Sequence, residues 1–131
     1  MEEPKKKIFI IDDDSFLLDM YALKFNQSNF SVTTALGPEP ALEKFHQGFV
    51  PDVMLLDIVL PVMDGFELIE KIKEEKLAQG AIIIILSNRG QPSDIARGES
   101  LGAAGYIVKA SSTPSEVIDK VNSIMSNLNK K

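Results

Sequence analysis

Five short apolar runs alternate with five amphipathic segments along this chain of 131 residues, and the alternation limits the folds open to it. Each apolar run has the length of a buried strand, and each amphipathic segment has the spacing of a helix. Repeated strand–helix units are typical of a parallel sheet with helices on both faces. The predicted strands are 7–11, 31–35, 53–57, 82–86 and 105–108, and the predicted helices are 15–27, 38–47, 65–75, 92–101 and 114–127.

This pattern predicts an α/β protein with a doubly wound (βα)5 fold and a five-stranded parallel sheet. Right-handed crossovers leave few ways to connect the strands. We expect the strand order 2-1-3-4-5 of flavodoxin-like proteins, in which the switch point lies between strands 1 and 3. The length suits one domain, residues 1–131, with a core of about 6–127. In the first helix, the spacing of Phe16, Leu17 and Met20 predicts core positions.

Composition excludes several classes of function. The chain has no cysteine, which rules out disulfides, thiol catalysis and cysteine zinc sites. A net charge of −5 argues against direct binding of nucleic acid. The longest apolar run, 81–86, is too short to cross a membrane, and no apolar signal region follows the charged start. We therefore expect a cytoplasmic protein without a membrane partner.

Acidic residues stand at the ends of two predicted strands. Asp12, Asp13 and Asp14 follow the first strand, and Asp57 ends the third. If these strands are neighbours, the carboxylates converge and repel unless a hard cation such as Mg²⁺ joins them. Asp14 or Ser15 is more simply a helix cap, but two acids at the end of a buried strand are costly without a partner. The pattern predicts a Mg²⁺ pocket suited to phosphoryl chemistry.

Two further polar residues end the fourth and fifth strands, on the same edge of the sheet. A hydroxyl at Ser87 and an ammonium at Lys109 could hold two phosphoryl oxygens and offset their charge. Asp57 is the candidate nucleophile, because a carboxylate can attack a phosphoryl group to form an acyl phosphate. Taken singly, Ser87 is a common cap or turn residue, so the combination carries the prediction.

With these residues in place, the chain resembles the receiver domain of two-component response regulators over nearly its whole length. It is most similar to the stand-alone kind, such as the chemotaxis response regulator. The resemblance implies a phosphorylation-controlled switch that assists its own phosphorylation and dephosphorylation, rather than an enzyme. The motifs that carry it are Asp12-Asp13, Asp57, Pro61 with Asp64-Gly65, Ser87, Gly102-Ala103 before Tyr106, and Lys109.

The resemblance also implies a role for each acid. Asp57 would be the phosphoacceptor. Mg²⁺ would be bound directly by Asp13, Asp57 and the backbone carbonyl of Val59, with Asp12 acting through water. If the family geometry holds, Val59 and Arg89 would flank the approach of a hydrolytic water.

The other implied roles concern binding and switching. Ser87 and Lys109 would bind phosphoryl oxygens, and Tyr106 would turn inward once Ser87 has moved. The donor would be a sensor histidine kinase or a phosphotransfer protein. The signal would leave through helix 4, strand 5 and helix 5 to an unknown downstream protein, from a monomer that phosphorylation could convert to a dimer.

One departure from the family pattern concerns the residue after Lys109. The family usually has a cis proline there, whereas this chain has Ala110. A cis bond before a residue other than proline costs about 2.5–4 kcal/mol, which favours trans and leaves the position of Lys109 open.

Two other functions fit part of the pattern. Asp12-x-Asp14 resembles the start of an aspartate-nucleophile phosphatase of the haloacid dehalogenase type, but Phe16 stands where that family has threonine or valine. Alternatively, the domain could be a pseudo-receiver that binds partners without being phosphorylated. Acetyl phosphate distinguishes them: phosphate on Asp57 indicates a receiver, phosphate on Asp12 the phosphatase, and no phosphate the pseudo-receiver.

Overall fold

The computed structural model describes residues 5–129, so the ends of the expected domain, 1–4 and 130–131, lie outside the described residues. The strands are β1 Lys6–Asp12, β2 Phe30–Leu36, β3 Val53–Leu56, β4 Ile82–Ser87 and β5 Gly105–Val108. The helices are α1 Ser15–Gln27, α2 Pro38–His46, α3 Gly65–Glu74, α4 Pro92–Ser100 and α5 Pro114–Asn129, with a 3-10 turn at Lys109–Ser111.

The five strands form one parallel sheet in the order β2-β1-β3-β4-β5. This confirms the predicted fold and strand order, and no element boundary differs from the predicted one by more than two residues. The central runs are continuously apolar because both faces of the sheet are covered. Among the described helices, none combines the length and the apolar character that a membrane crossing requires.

The two faces of the sheet carry separate cores. Side chains alternate along each strand, so Phe9 and Ile11 face one core while Ile8 and Ile10 face the other. The first core packs under α2 and α3, and the second packs under α1 and α5. The strand ends between these layers are therefore held from both sides.

One core prediction is wrong. Phe16 is 76% exposed, although its spacing with Leu17 and Met20 indicated a core position. The buried stripe of α1 is instead Leu18, Tyr21 and Phe25, while Leu17 and Met20 are only partly buried. The periodicity is helical in both cases, but contact with the sheet selects which face is buried.

Glycine lets α4 lie close to the sheet. A Cβ at Gly98 would stand 2.8 Å from Ile85 Cδ1 and 3.4 Å from Tyr106 Cδ2. In an isolated helix this glycine costs about 1 kcal/mol relative to alanine. In this fold, the missing side chain of Gly98 lets α4 approach β4 and β5 closely, so the helix lies directly over Tyr106.

Replacing Phe9 by alanine should lower the free energy of unfolding by about 3–5 kcal/mol. Phe9 is fully buried, and its ring meets those of Phe45 and Phe49 edge to face at centroid distances of 5.2 Å. Urea unfolding measures the loss. Leu36→Ala, at a position 54% exposed on the neighbouring strand, is the control. A loss no greater than that of the control would contradict the packing described.

Candidate functional site

The acids predicted from the sequence meet at the carboxyl edge of the sheet. Ile11 pairs with Leu56 in register, so Asp12 and Asp57 leave adjacent strands side by side. Both are buried, at 4% and 6% exposure, whereas Asp13 is exposed. One carboxylate oxygen from each of Asp12, Asp13 and Asp57 lies within 4.8 Å of the others.

These acids line a cleft of about 320 Å³, called the acidic cleft below. Its residues are Asp12, Asp13, Asp14, Leu17, Asp57, Val59, Asn88 and Lys109. Sequence analysis missed Asn88, and the only signal for it was its place directly after Ser87 at a strand end. Neither Ser87, Tyr106 nor Arg89 is among these lining residues.

Lys109 joins the two buried carboxylates. Its Nζ donates hydrogen bonds to Asp12 Oδ2 and Asp57 Oδ2, each at 2.7 Å. The peptide bonds of the described residues are all trans, including the one between Lys109 and Ala110. Alanine in place of the usual proline thus leaves the lysine within reach of both acids.

Burial and hydrogen bonding oppose each other in this cluster. Burial raises the pKa of the Asp12 carboxyl above its usual value, although the hydrogen bonds from Lys109 and from the Asp14 amide act in the opposite direction. Burial by itself lowers the pKa of Lys109, but its hydrogen bonds to Asp12 and Asp57 outweigh burial and raise it. The ammonium therefore stays charged at neutral pH.

Three strand ends share one turn geometry. Asp12 Oδ1 accepts from the Asp14 amide at 3.0 Å, and Asp57 Oδ1 accepts from the Val59 amide at 3.0 Å. Ser87 Oγ accepts from the Arg89 amide at 3.2 Å. A side-chain oxygen bonded to the amide two residues later is a known way for aspartate and serine to turn the chain. The turns fix these side chains before any ligand is present.

Asp14 has a structural role in addition to its place in the cleft. Its side chain caps α1 by accepting from the Phe16 and Leu17 amides at 3.0 and 3.2 Å. This confirms the predicted helix cap. A capping box, in which Asp64 and Glu67 each accept from the other's backbone amide, likewise begins α3.

Gly65 fixes the loop that carries Asp57. The Gly65 amide donates to the Ile58 carbonyl at 2.8 Å. A Cβ at this position would overlap the Asp57 carbonyl oxygen and lie 2.8 Å from Ile58 Cα. Since both neighbours are backbone atoms, they could not yield without displacing Asp57. Only glycine allows α3 to begin this close to the acid.

Ser87 and Tyr106 lie beside the acidic cleft and are joined through Arg89. Ser87 is fully buried at the end of β4, and Tyr106 is half-buried on β5. The Tyr106 hydroxyl donates to the Arg89 carbonyl, while the Arg89 amide donates to Ser87. The Arg89 guanidinium donates to Asp94 and is not among the groups that line the cleft, whereas Val59 lines it.

His46 lies at the carboxyl end of α2, away from the carboxyl ends of the strands that hold the acids. Its Nε2 is 2.7 Å from Glu75 Oε1. Because it is exposed and paired with an acid beyond α3, we assign it no part in the site.

The residues of the acidic cleft suit a divalent cation. Four acids and one lysine line it, so negative charge exceeds positive charge. Carboxylate and carbonyl oxygens are the ligands that Mg²⁺ prefers. The close grouping of Asp12, Asp13 and Asp57 therefore fits the metal that the sequence predicts.

Asp12→Asn should raise the free energy of unfolding at pH 7 in the absence of Mg²⁺. Burial raises the pKa of Asp12, so its charged form costs stability above that pKa. The cost disappears below the unfolded value of about 3.9, where the acid is neutral in both states. Urea unfolding between pH 7 and pH 4 should therefore show the advantage shrinking as the pH falls.

The control for this prediction is Asp19→Asn, because Asp19 is an exposed acid of α1. It should change stability little at any pH. A less stable Asp12→Asn protein at pH 7, or an advantage that grows toward pH 4, would contradict the assignment.

The family described as "Response regulator receiver domain" matches residues 8–122. Among curated relatives, the probable transcriptional regulator ycf27 of Guillardia theta is 33% identical over 128 residues, covering 98% of this chain and 48% of that protein. The alkaline phosphatase synthesis transcriptional regulatory protein PhoP of Bacillus subtilis is 32% identical over 120 residues, covering 92% and 48%. The chain thus spans about half the length of these relatives.

Solved structures agree with the family match. The chemotaxis protein CheY4 of Vibrio cholerae has a TM-score of 0.82 at 25% identity, covering 92% of this chain and 98% of that one. A CheY-like receiver domain protein of Methanospirillum hungatei has a TM-score of 0.84 at 27% identity, covering 96% and 98%. Family match, fold and relatives agree, and the chain belongs to the response regulator receiver domain family of two-component systems.

Proposed function

We propose that this domain is a phosphorylation-controlled switch that accepts a phosphoryl group on Asp57 in a Mg²⁺-dependent reaction. The observation that carries the proposal is the setting of Asp57. Its carboxylate lies at a sheet edge, 2.7 Å from the Lys109 ammonium and close to two further acids. The phosphodonor is a histidine of a sensor kinase or a phosphotransfer protein.

In the proposed reaction, an Asp57 carboxylate oxygen attacks the phosphorus of a phosphohistidine. The new oxygen–phosphorus bond forms as the nitrogen–phosphorus bond breaks, and the donor nitrogen keeps the electron pair. Asp13, Asp57 and the Val59 carbonyl would hold Mg²⁺ directly, with Asp12 acting through water. The metal, when bound, offsets the charge of the phosphoryl oxygens. Lys109, whose Nζ lies 2.7 Å from Asp57 Oδ2, would pair with one of these oxygens.

Ser87 and Tyr106 form the proposed switch. Ser87 would leave the Arg89 amide to donate its hydroxyl to a phosphoryl oxygen. Because Tyr106 is bonded to the carbonyl of the same Arg89, this movement would loosen Tyr106 and let it turn inward. The surface of α4, β5 and α5 would change and present the signal to a downstream protein.

Residues 1–131 act as one receiver domain with a core of about 6–127, and the domain is cytoplasmic and monomeric, with dimer formation on phosphorylation as an open alternative. It contacts neither nucleic acid nor membrane directly. The curated relatives named above are called transcriptional regulators, and this chain matches about half of their length.

Acetyl phosphate with Mg²⁺ should phosphorylate the parent protein and fail to phosphorylate Asp57→Asn. Mass spectrometry locates the phosphate, and hydroxylamine should remove it as expected for an acyl phosphate. Asp52→Asn is the control, since Asp52 accepts from the Lys7 amide outside the acidic cleft. Parental phosphate levels on Asp57→Asn, or phosphate on Asp12, would overturn the assignment, and an unreactive parent would favour the pseudo-receiver.

Val59→Asn should shorten the lifetime of the phosphorylated protein severalfold. Hydrolysis needs a water in line with the phosphorus, and valine at the rim of the cleft cannot orient one by hydrogen bonding. Asparagine can. Loss of phosphate in Mg²⁺ buffer gives the lifetime, and Val50→Asn provides a control of similar exposure, 47% against 51%. An unchanged or longer lifetime of the phosphorylated Val59→Asn protein, compared with the parent, would refute the proposal that Val59 slows hydrolysis.

A further inference from the structure

Arg89 is held at three points by three different elements. Its amide donates to Ser87 at the end of β4, and its carbonyl accepts from Tyr106 on β5. Its guanidinium Nη2 donates to Asp94 Oδ1 on α4 at 2.8 Å. The guanidinium carbon also stands 6.0 Å from the centre of the Phe66 ring. The conformation of Arg89 therefore depends on β4, β5 and α4 together.

Asp94 is well placed to hold the guanidinium. It is only 8% exposed, and its other oxygen accepts from the Gln91 amide at 3.3 Å at the start of α4. A buried carboxylate without a cation would be costly, so Asp94 needs the Arg89 guanidinium as its partner, although the Arg89 side chain itself is 48% exposed. The positive end of the helix dipole further favours a charged Asp94 at this site.

Without this partner, the acidic cleft would attract the same guanidinium. Asn88, the residue next to Arg89, already lines the cleft. The acids there outnumber the single ammonium of Lys109, so a second cation would be drawn in. A guanidinium binds carboxylates through a planar fork of donors, and it would compete with a metal ion for the same oxygens.

We propose that Asp94 is a positioning residue that holds the Arg89 guanidinium out of the acidic cleft and so prevents it from competing with a divalent cation for the carboxylates there. The inference rests on the proposed function of the cleft, and it extends the role to a residue on α4 that touches none of the reacting groups.

The test is Mg²⁺ affinity of the unphosphorylated protein, followed through backbone amide shifts of Asp12 and Asp13 by NMR. Asp94→Asn should weaken Mg²⁺ binding by roughly two- to fivefold, the range given by a weak competing ion pair. Asparagine keeps an oxygen for the Gln91 amide, so α4 should retain its start. The side-chain Nε resonance of Arg89 should shift in this variant and shift again on addition of Mg²⁺.

A double variant separates positioning from a structural effect. Adding Arg89→Ala to Asp94→Asn should restore parental Mg²⁺ affinity, because the Arg89 guanidinium is no longer present to enter the cleft. If Asp94→Asn acted by loosening α4, the double variant would stay weak, and that result would overturn the proposal. Parental affinity in Asp94→Asn alone would overturn it as well.

Glu70→Gln is the matched control. It removes one negative charge and breaks the longer 3.9 Å pair with Arg97, whose guanidinium lies over the same Phe66 ring, but it leaves Arg89 in place. Its Mg²⁺ affinity should match the parent. Because no phosphodonor is used, a parent that binds Mg²⁺ as expected but cannot be phosphorylated would refute the proposed function and leave this inference standing.

Discussion

The ammonium of Lys109 between the carboxylates of Asp12 and Asp57 is the interaction on which the site depends. Both acids are buried at adjacent strand ends, and like charges this close would repel strongly in a poorly solvated environment. The lysine reaches them from the 3-10 turn that follows β5, and β4 separates β5 from β3 in the sheet. The strand order thus brings the carboxylates of Asp12 and Asp57 together. Because these two negative charges repel, they require the ammonium of Lys109 at the end of β5.

Much of this arrangement could be predicted from the sequence because it follows from strand ends. In a parallel sheet, any residue that directly follows a strand lies on one edge, so the positions of Asp57, Ser87 and Lys109 along the chain already imply a common edge. The capping role of Asp14 was predictable for a similar reason, since the start of a helix leaves amides that need an acceptor.

What could not be predicted depends on contacts between distant segments. The exposure of Phe16 reflects which face of α1 meets the sheet, and helical periodicity alone does not choose the face. The need for glycine at 98 arises from Ile85 and Tyr106 on two other elements. The direction of the Arg89 side chain could not be predicted either, because it depends on the Asp94 carboxylate of α4 rather than on the neighbours of Arg89 in the chain.

Arg89 also shows how local hydrogen bonds could convert a change of charge into a change of surface. Under the proposed function, phosphorylation adds negative charge to a cleft whose resident cation, Lys109, is already shared between two acids. The Ser87 hydroxyl is bonded to the backbone of Arg89, and that backbone is bonded to Tyr106. In the proposed switch, movement of Ser87 would be resisted by Asp94 through the Arg89 guanidinium and would be transmitted to β5 through the Arg89 carbonyl. On that proposal, the strength of the Arg89–Asp94 pair would set how much interaction energy with the phosphoryl group is needed to release Tyr106.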